Sequence, residues 1–258
     1  SYLEELKQSS NGMEWLFMHE QHKSQGILNG IDAQVWNPRT DDLILQNLNA
    51  QVPHYKNDNK YALIHRFNVD PDLPIITFIG RLVREKGADL LPDLFSRVLQ
   101  SGMRVNILVL GTGERYIMEA FAHMRGRFQG RFDAALEYNE GLAHQLYAGS
   151  DFLLMPSRVE PCGLNQMYAM RYGTIPIVRS VGGLRDTVPD IGEPDGSGRG
   201  IRFDHFTLED ASMAIYRAAE LYFNHYAIFE RTREQIMQID FSWERAAGQY
   251  IKMYNEML

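Results

Sequence analysis

Pro74-Ile-Ile-Thr-Phe-Ile-Gly80 runs directly into Arg81-Leu-Val-Arg-Glu-Lys-Gly87. The first half is a short apolar run, rich in β-branched residues and closed by Pro and Gly, and it predicts a strand. Its hydrophobicity is nearly continuous rather than alternating, the pattern of a strand covered on both faces, as in a parallel sheet. The same pattern recurs outward from it. Val105-Asn-Ile-Leu-Val-Leu-Gly111, a weaker run at Arg131–Leu136, Phe152–Pro156 and Ile175–Val178 follow, with a last strand at Gly200–Phe203. Leu90, Leu91, Leu94, Phe95, Val98 and Leu99 fall at helical spacing between the first two strands. Tyr116, Ile117, Ala120, Phe121 and Met124, then Leu142, Leu146 and Tyr147, then Leu164, Met167 and Met170, repeat it after the next three. Strand starts recur about every 20–30 residues, the size of a βα unit, so right-handed crossovers stack into one open sheet. The expected fold is α/β: a Rossmann-like parallel sheet flanked by helices, over residues 26–240.

The flanks differ. Residues 1–25 carry a helical segment (Met13, Leu16, Phe17) that ends before Gly26, and residues 241–258 a final helix with Ser242 as N-cap. Residues 37–60 are polar and Pro/Asn/Asp-rich, and are expected to form a long loop with one short helix. Pro189–Gly200 holds four Gly and reads as a turn-rich loop. Helical period dominates Leu208–Ile239, where Tyr216, Tyr222, Phe223, Tyr226 and Phe229 form an aromatic stripe expected to pack in the core.

Composition narrows the class. The chain has 258 residues, 45% hydrophobic and 23% charged, within the globular range. A net charge of −7 argues against nucleic acid or an anionic membrane as the main partner. No apolar run approaches the roughly 18 residues of a membrane span. A single cysteine excludes a disulfide framework and a multi-thiolate metal site, and suits a reducing, cytoplasmic setting. Ser1–Lys7 lacks a signal core, and the absence of an initial Met suggests a processed or excised piece.

Ligands of open parallel sheets bind at the carboxyl ends of strands. Three loops qualify. Gly80–Gly87 carries Arg81, Arg84 and Lys86 ahead of a helix N-terminus, a combination that suits a diphosphate and equally a solvated basic turn. Gly111-Thr-Gly113 is a lone GxG without the full dinucleotide fingerprint, and is better read as a tight βα turn. Ser157-Arg-Val-Glu-Pro-Cys-Gly-Leu-Asn-Gln-Met-Tyr168 places Glu160 beside the amides of a helix that Gly163 is expected to start near Leu164. Such a carboxylate can accept hydrogen bonds from sugar hydroxyls, or simply favour the helix dipole. Cys162 reads as a small buried thiol rather than a nucleophile. His19 and His22, at i, i+3, could ligate a metal, but with no third ligand they read as surface residues.

Ser157–Val178 closely resembles the signature stretch of bacterial glycogen synthases and plant starch synthases, glycosyltransferase family 5. Gly26-Ile-Leu-Asn-Gly-Ile-Asp-Ala-Gln-Val-Trp-Asn-Pro38, Gly80–Gly87, Gly182-Gly-Leu-Arg-Asp-Thr-Val188 and Asp240-Phe-Ser-Trp243 match in family order. The resemblance implies a GT-B fold and a retaining transferase that adds α-1,4-linked glucose from ADP-glucose to a glucan end. It also implies that this chain is the carboxy-terminal, donor-binding half, inactive alone. The family's Lys-X-Gly-Gly-Leu motif and its amino-terminal domain are missing, and residues 1–25 resemble that domain's tail. Carried over residue by residue, Arg81 and Lys86 bind the donor diphosphate and Glu160 lies near the transferred glucose. Cys162, Gly163 and Leu164 face sugar and phosphates, Tyr138 stacks on adenine, and Asn29 lines the interdomain cleft. Gly182 and Gly183 supply cleft backbone. Tyr168 stands where many GT-B enzymes carry a second Glu, often a ribose ligand, as is usual in glycogen synthases. No cofactor and no metal are expected beyond the substrate, two cations at the phosphate serving instead. Front-face displacement and double displacement through Glu160 both remain open.

Other readings are a GT-B transferase with a different nucleotide-sugar, a non-catalytic nucleotide-binding module, and a nicotinamide-dependent oxidoreductase. The last lacks its fingerprint.

Overall fold

The computed structural model describes residues 2–8, 10–49 and 51–257; Ser1 and Leu258, named above at the ends of the flanking segments, lie outside the described residues. Six strands form one sheet: β1 Ile75–Ile79, β2 Asn106–Leu110, β3 Phe132–Ala135, β4 Phe152–Met155, β5 Ile175–Arg179 and β6 Ile201–Phe203. Every pairing is parallel, and the order is β3-β2-β1-β4-β5-β6. The strands are buried on both faces, with Ile76, Ile107, Leu153 and Ile177 all 0% exposed. Fully burying one such side chain is worth about 1.5–3 kcal/mol, so the sheet interior supplies the main driving force.

Eleven α-helices stand among the described residues. α1 Tyr2–Leu6, α2 Glu14–His19 and α3 Val52–Phe67 precede the sheet. α4 Leu91–Gln100, α5 Arg115–Arg127, α6 Glu140–Gly149, α7 Asn165–Arg171 and α8 Gly182–Thr187 connect its strands. α9 Leu208–Asn224, α10 Tyr226–Met237 and α11 Trp243–Met257 follow. α4 packs on α5 and α9, while α3, α6, α7 and α8 pack in sequence elsewhere on the sheet, with α10 against α7 and β5. Ser242 Oγ accepts from the Arg245 amide at 3.4 Å, capping α11 as the sequence indicates.

Three local expectations need correction. The polar stretch before residue 60 is not a loop with one short helix, because α3 runs for 16 residues from Val52 to Phe67. Its apolar period is weak since its inward face is polar: Lys56, Asn59 and Lys60 are buried, each with hydrogen-bond partners. The stretch after Leu208 is helical as expected, in two helices divided at His225, whose backbone leaves the helical region at φ −133°. The aromatic stripe is mixed: Phe229 is fully buried, whereas Tyr216 and Tyr226 are half exposed. Finally, the basic loop does not enter α4 directly. Two short 3-10 turns, Arg84–Lys86 and Ala88–Leu90, intervene, so its cations do not sit at a helix N-terminus.

Candidate active site

The strand order reverses between β1 and β4: the chain moves outward from β1 through β2 to β3, then returns to build β4, β5 and β6 on the other side. Loops leaving β1 and β4 therefore diverge, and the crevice between them is where open α/β sheets bind ligands. Residues 80–90 form one wall and residues 157–164 the other.

An ion pair spans that crevice. Lys86 Nζ lies 2.6 Å from Glu160 Oε2, and Ser157 Oγ donates to the same oxygen at 3.2 Å. The carboxylate side chain is 7% exposed and the lysine 31%. Among the described residues no donor meets Glu160 Oε1, and only one of the three ammonium protons of Lys86 has a side-chain partner. The pair is thus anchored at Glu160 Oε2 alone and retains capacity for more.

Beside it lies a cavity of about 270 Å³ at the ends of β1 and β2, lined by Gly80, Arg81, Gly111, Thr112, Tyr138 and Tyr168 among others. Tyr138 is 83% exposed at its mouth. It immediately precedes Asn139, whose side chain accepts from the Leu142 amide at 2.9 Å and caps α6, so the helix start fixes where the ring stands. The inner wall is aromatic. Trp36 is sandwiched between Tyr168 and His144, each stacked at 3.9 Å, and His144 Nδ1 pairs with the buried Asp41 at 2.6 Å. Burial pushes the Tyr168 phenol above its ordinary pKa, keeping it a neutral hydrogen-bonding group. Asn165 closes the floor by donating to the Ile79 carbonyl at 2.7 Å, which ties the start of α7 to the end of β1.

The structure thus brings Arg81, Tyr138 and Tyr168 to one cavity and Lys86 and Glu160 to the adjoining crevice. Gly163 and Leu164 precede α7, which begins at Asn165 with Leu164 at its N-cap position, as expected. Gly182 and Gly183 are buried under the Glu160–Cys162 loop. A Cβ on either would fall about 2 Å from a backbone oxygen, at 2.0 Å from Glu160 O and 2.1 Å from Cys162 O respectively, so glycine is what permits the close approach. Asn29 stands apart from the main cavity. Its amide donates to Cys162 Sγ at 3.4 Å, and its side chain lines a smaller cavity of about 110 Å³ with Asp240 and Arg245. Cys162 is half-buried rather than buried. Burial pushes its thiol up, which disfavours the thiolate a nucleophile needs.

Gly111-Thr-Gly113 is not the tight turn expected: it runs on extended from β2, with Gly113 bridged in parallel to Leu82, and a Cβ on Gly111 would fall 2.0 Å from the Gly80 carbonyl oxygen. It also walls the cavity, which the motif alone did not reveal. Trp36 and Asn165 were missed: a tryptophan in an irregular segment and a helix-start asparagine carry no periodic signal. His19 is exposed and stacks on Trp15 at 4.3 Å, and among the described residues no group of three or more His, Cys, Asp or Glu could hold a metal.

Comparison with known proteins places this geometry. The chain is 48% identical over 257 residues to a glycogen synthase of Flavobacterium johnsoniae, covering 99% of this chain and 54% of that protein. It is 38% identical over 262 residues to a glycogen synthase of Bacillus anthracis, covering 100% and 54%. The chain therefore spans about half the length of the curated relatives it matches. Among solved structures it is similar to the catalytic domain of starch synthase IV from Arabidopsis thaliana bound to ADP and acarbose, with a TM-score of 0.90 and 34% identity over 99% of this chain and 54% of that one. Residues 60–198, from α3 through β5 and the loop beyond α8, match the family described as Glycosyl transferases group 1. With the six-stranded sheet, the crevice at its crossover and this match together, the chain belongs to the group 1 glycosyl transferases.

Proposed function

We propose that this chain is the donor-binding unit of a retaining glucosyltransferase that extends α-1,4-glucan from ADP-glucose. The observation that carries the reading is the Lys86–Glu160 pair at the β1/β4 crossover, set beside an aromatic-walled cavity of about 270 Å³. A nucleobase fits against Tyr138, with Tyr168 and Trp36 forming the inner wall, and a diphosphate reaches from there to Arg81 and Lys86. Likeness to a starch synthase catalytic domain bound to ADP supports an adenine nucleotide as the ligand class.

The two cations neutralise charge that develops on the departing diphosphate, a service worth most where water is excluded. They fill the role a metal ion would otherwise take, so the reading requires none. In the transfer, the bond from the glucosyl carbon to the diphosphate oxygen breaks and a bond to the acceptor hydroxyl oxygen forms. The hydroxyl proton passes to the departing phosphate oxygen. Glu160 Oε2 is engaged by an ammonium and a hydroxyl, while Oε1 meets no donor among the described residues. Glu160 then acts by stabilising positive charge on the sugar and by orienting its hydroxyls. Cys162, Gly163 and Leu164 supply the sugar-facing backbone, Gly182 and Gly183 supply cleft backbone, and Asn29 stands on the side of the cleft that faces the second domain. The glucan acceptor and a second domain complete the cleft, in the cytoplasm.

Calorimetric titration with ADP tests the reading. The chain binds ADP, and Lys86→Ala or Arg81→Ala weakens that binding about 10- to 100-fold, the loss of one charge-assisted contact. Undiminished affinity in both variants would remove the diphosphate assignment, and tighter binding of UDP than ADP would reassign the donor.

A further inference from the structure

We propose that Arg158 is the positioning residue that sets Lys86 against the donor diphosphate, an inference that rests on the function proposed above. Lys86 ends a three-residue 3-10 turn that has no side-chain cap and is followed by Gly87 in the left-handed region at φ +70°. Such a turn is too short to hold itself. Arg158, on the opposite wall of the crevice, holds it from both sides.

On the near side, Arg158 Nη1 donates to the Arg84 carbonyl at 2.7 Å, and the Arg158 amide donates to the Glu85 carbonyl at 2.9 Å. On the far side the guanidinium grips the Asp89 carboxylate with two parallel bonds, Nη1 to Oδ1 and Nη2 to Oδ2, the latter at 2.7 Å. Lys86 lies between these anchors. The guanidinium plane also covers the Phe206 ring, 3.8 Å from its centroid, which joins the loop after β6 to the same clamp. The backbone of this segment is fixed in turn, because Arg179 Nη1 donates to the Ser157 and Arg158 carbonyls at 3.2 and 3.1 Å. One side chain therefore connects the walls of the crevice through a fork, a carbonyl bond and a stacked face. Only a planar guanidinium offers all three, and a lysine cannot replace it. The hydrogen bond from Arg158 holds the Asp89 carboxyl below its ordinary pKa, so the fork stays charged at neutral pH.

Arg158 touches neither the cavity lining nor Glu160 in this arrangement; its effect on a ligand passes through Lys86. Two measurements separate that from a general structural role. In the ligand-free chain, amide hydrogen exchange at Lys86 and Gly87 rises at least 10-fold in Arg158→Ala while exchange in β1 is unchanged. Equal exchange in both proteins would overturn the proposal. In titrations, Arg158→Ala weakens ADP about 10-fold, leaves adenosine within 2-fold, and adds nothing further in a Lys86→Ala background; Arg158→Lys does not restore ADP affinity. Parallel losses for ADP and adenosine, or additive losses in the double variant, would overturn it by showing that the whole site has collapsed. If the unsubstituted chain does not bind ADP, the functional reading above fails, and the exchange experiment still decides whether Arg158 holds the Lys86 turn.

Discussion

The strand β4 carries a carboxylate at each end, and the two are treated oppositely. Asp151, just before the strand, is 3% exposed and fully engaged. Its Oδ2 accepts from Lys60 Nζ at 2.7 Å and from the Ile75 amide at 2.9 Å, and its Oδ1 from Arg233 Nη2 at 2.8 Å. Each cation has further partners: Lys60 reaches the Tyr222 hydroxyl, and Arg233 the Gly173 carbonyl and Glu230. Glu160, beyond the other end, has one cation and one hydroxyl on a single oxygen. A buried charge whose bonds are all made is a fastener, here joining α3, α10 and β1 to the start of β4. A buried charge with capacity left over is a place for something to bind. The same residue chemistry, at the amino and carboxyl ends of one strand, divides into holding and binding by the count of satisfied bonds alone.

The largest effect that tests the contrast is on stability. Arg233→Ala strands Asp151 with half its cationic partners and leaves Glu230 unpaired from it, and removing one partner of a buried ion pair costs about 3–5 kcal/mol. Lys86→Ala, at the open end, costs less, because its side chain is 31% exposed and Ser157 still donates to Glu160. Urea denaturation of both variants reads the difference directly. Equal losses would show that the Lys86–Glu160 pair is also a fastener.

Acidity gives the next, smaller effect. Burial pushes the Asp151 carboxyl up, but Lys60 and Arg233 pull it down further, so it rests below its ordinary value. Burial likewise lowers the Lys60 ammonium, and Asp151 and Tyr222 together raise it by more, leaving it above its ordinary value. A depressed acid contributes stability above its unfolded pKa, about 3.9, and loses it as pH falls through the folded value. A raised base contributes below its unfolded pKa, about 10.4, and loses it as pH rises through the folded value. The stability difference between the unsubstituted chain and Asp151→Asn is therefore flat from about pH 5 to 10 and shrinks on either side. A difference that grew below pH 4 would contradict this assignment of charge.

The contrast also explains what the sequence could and could not disclose. The sheet was legible, because Ile75–Ile79, Asn106–Leu110 and Phe152–Met155 are runs whose composition has few other uses. The fastener was not. Lys56, Asn59 and Lys60 make α3 look like a polar loop, since inward-facing polar residues erase the periodicity that marks a helix, and only tertiary partners justify them. At the binding end, the motif around Glu160 and the Gly80–Gly87 loop stood out, and the structure joins them through Lys86. Trp36 did not stand out, as its partners Tyr168 and His144 come from α7 and α6, distant in sequence and united only by the fold.

Tyr138 offers the sharpest case, since it predicts binding with no holding at all. The ring is 83% exposed, and its position comes from its neighbour Asn139 capping α6 rather than from any contact of its own in the core. Surface substitutions away from packed features shift stability by about 0.5 kcal/mol or less. Tyr138→Ala therefore leaves the denaturation midpoint in place. Stacking of a base on an aromatic ring is worth about 1–3 kcal/mol, so ADP affinity falls by about 5- to 150-fold in the same variant. Tyr138→Phe, which keeps the ring, retains most of that affinity. If the alanine variant binds ADP as tightly as the unsubstituted chain, the nucleobase does not stand on this ring and the cavity must be assigned to another part of the ligand. If it unfolds more easily by more than about 1 kcal/mol, the ring is holding α6 after all, and exposure is the wrong criterion for telling the two kinds of site apart.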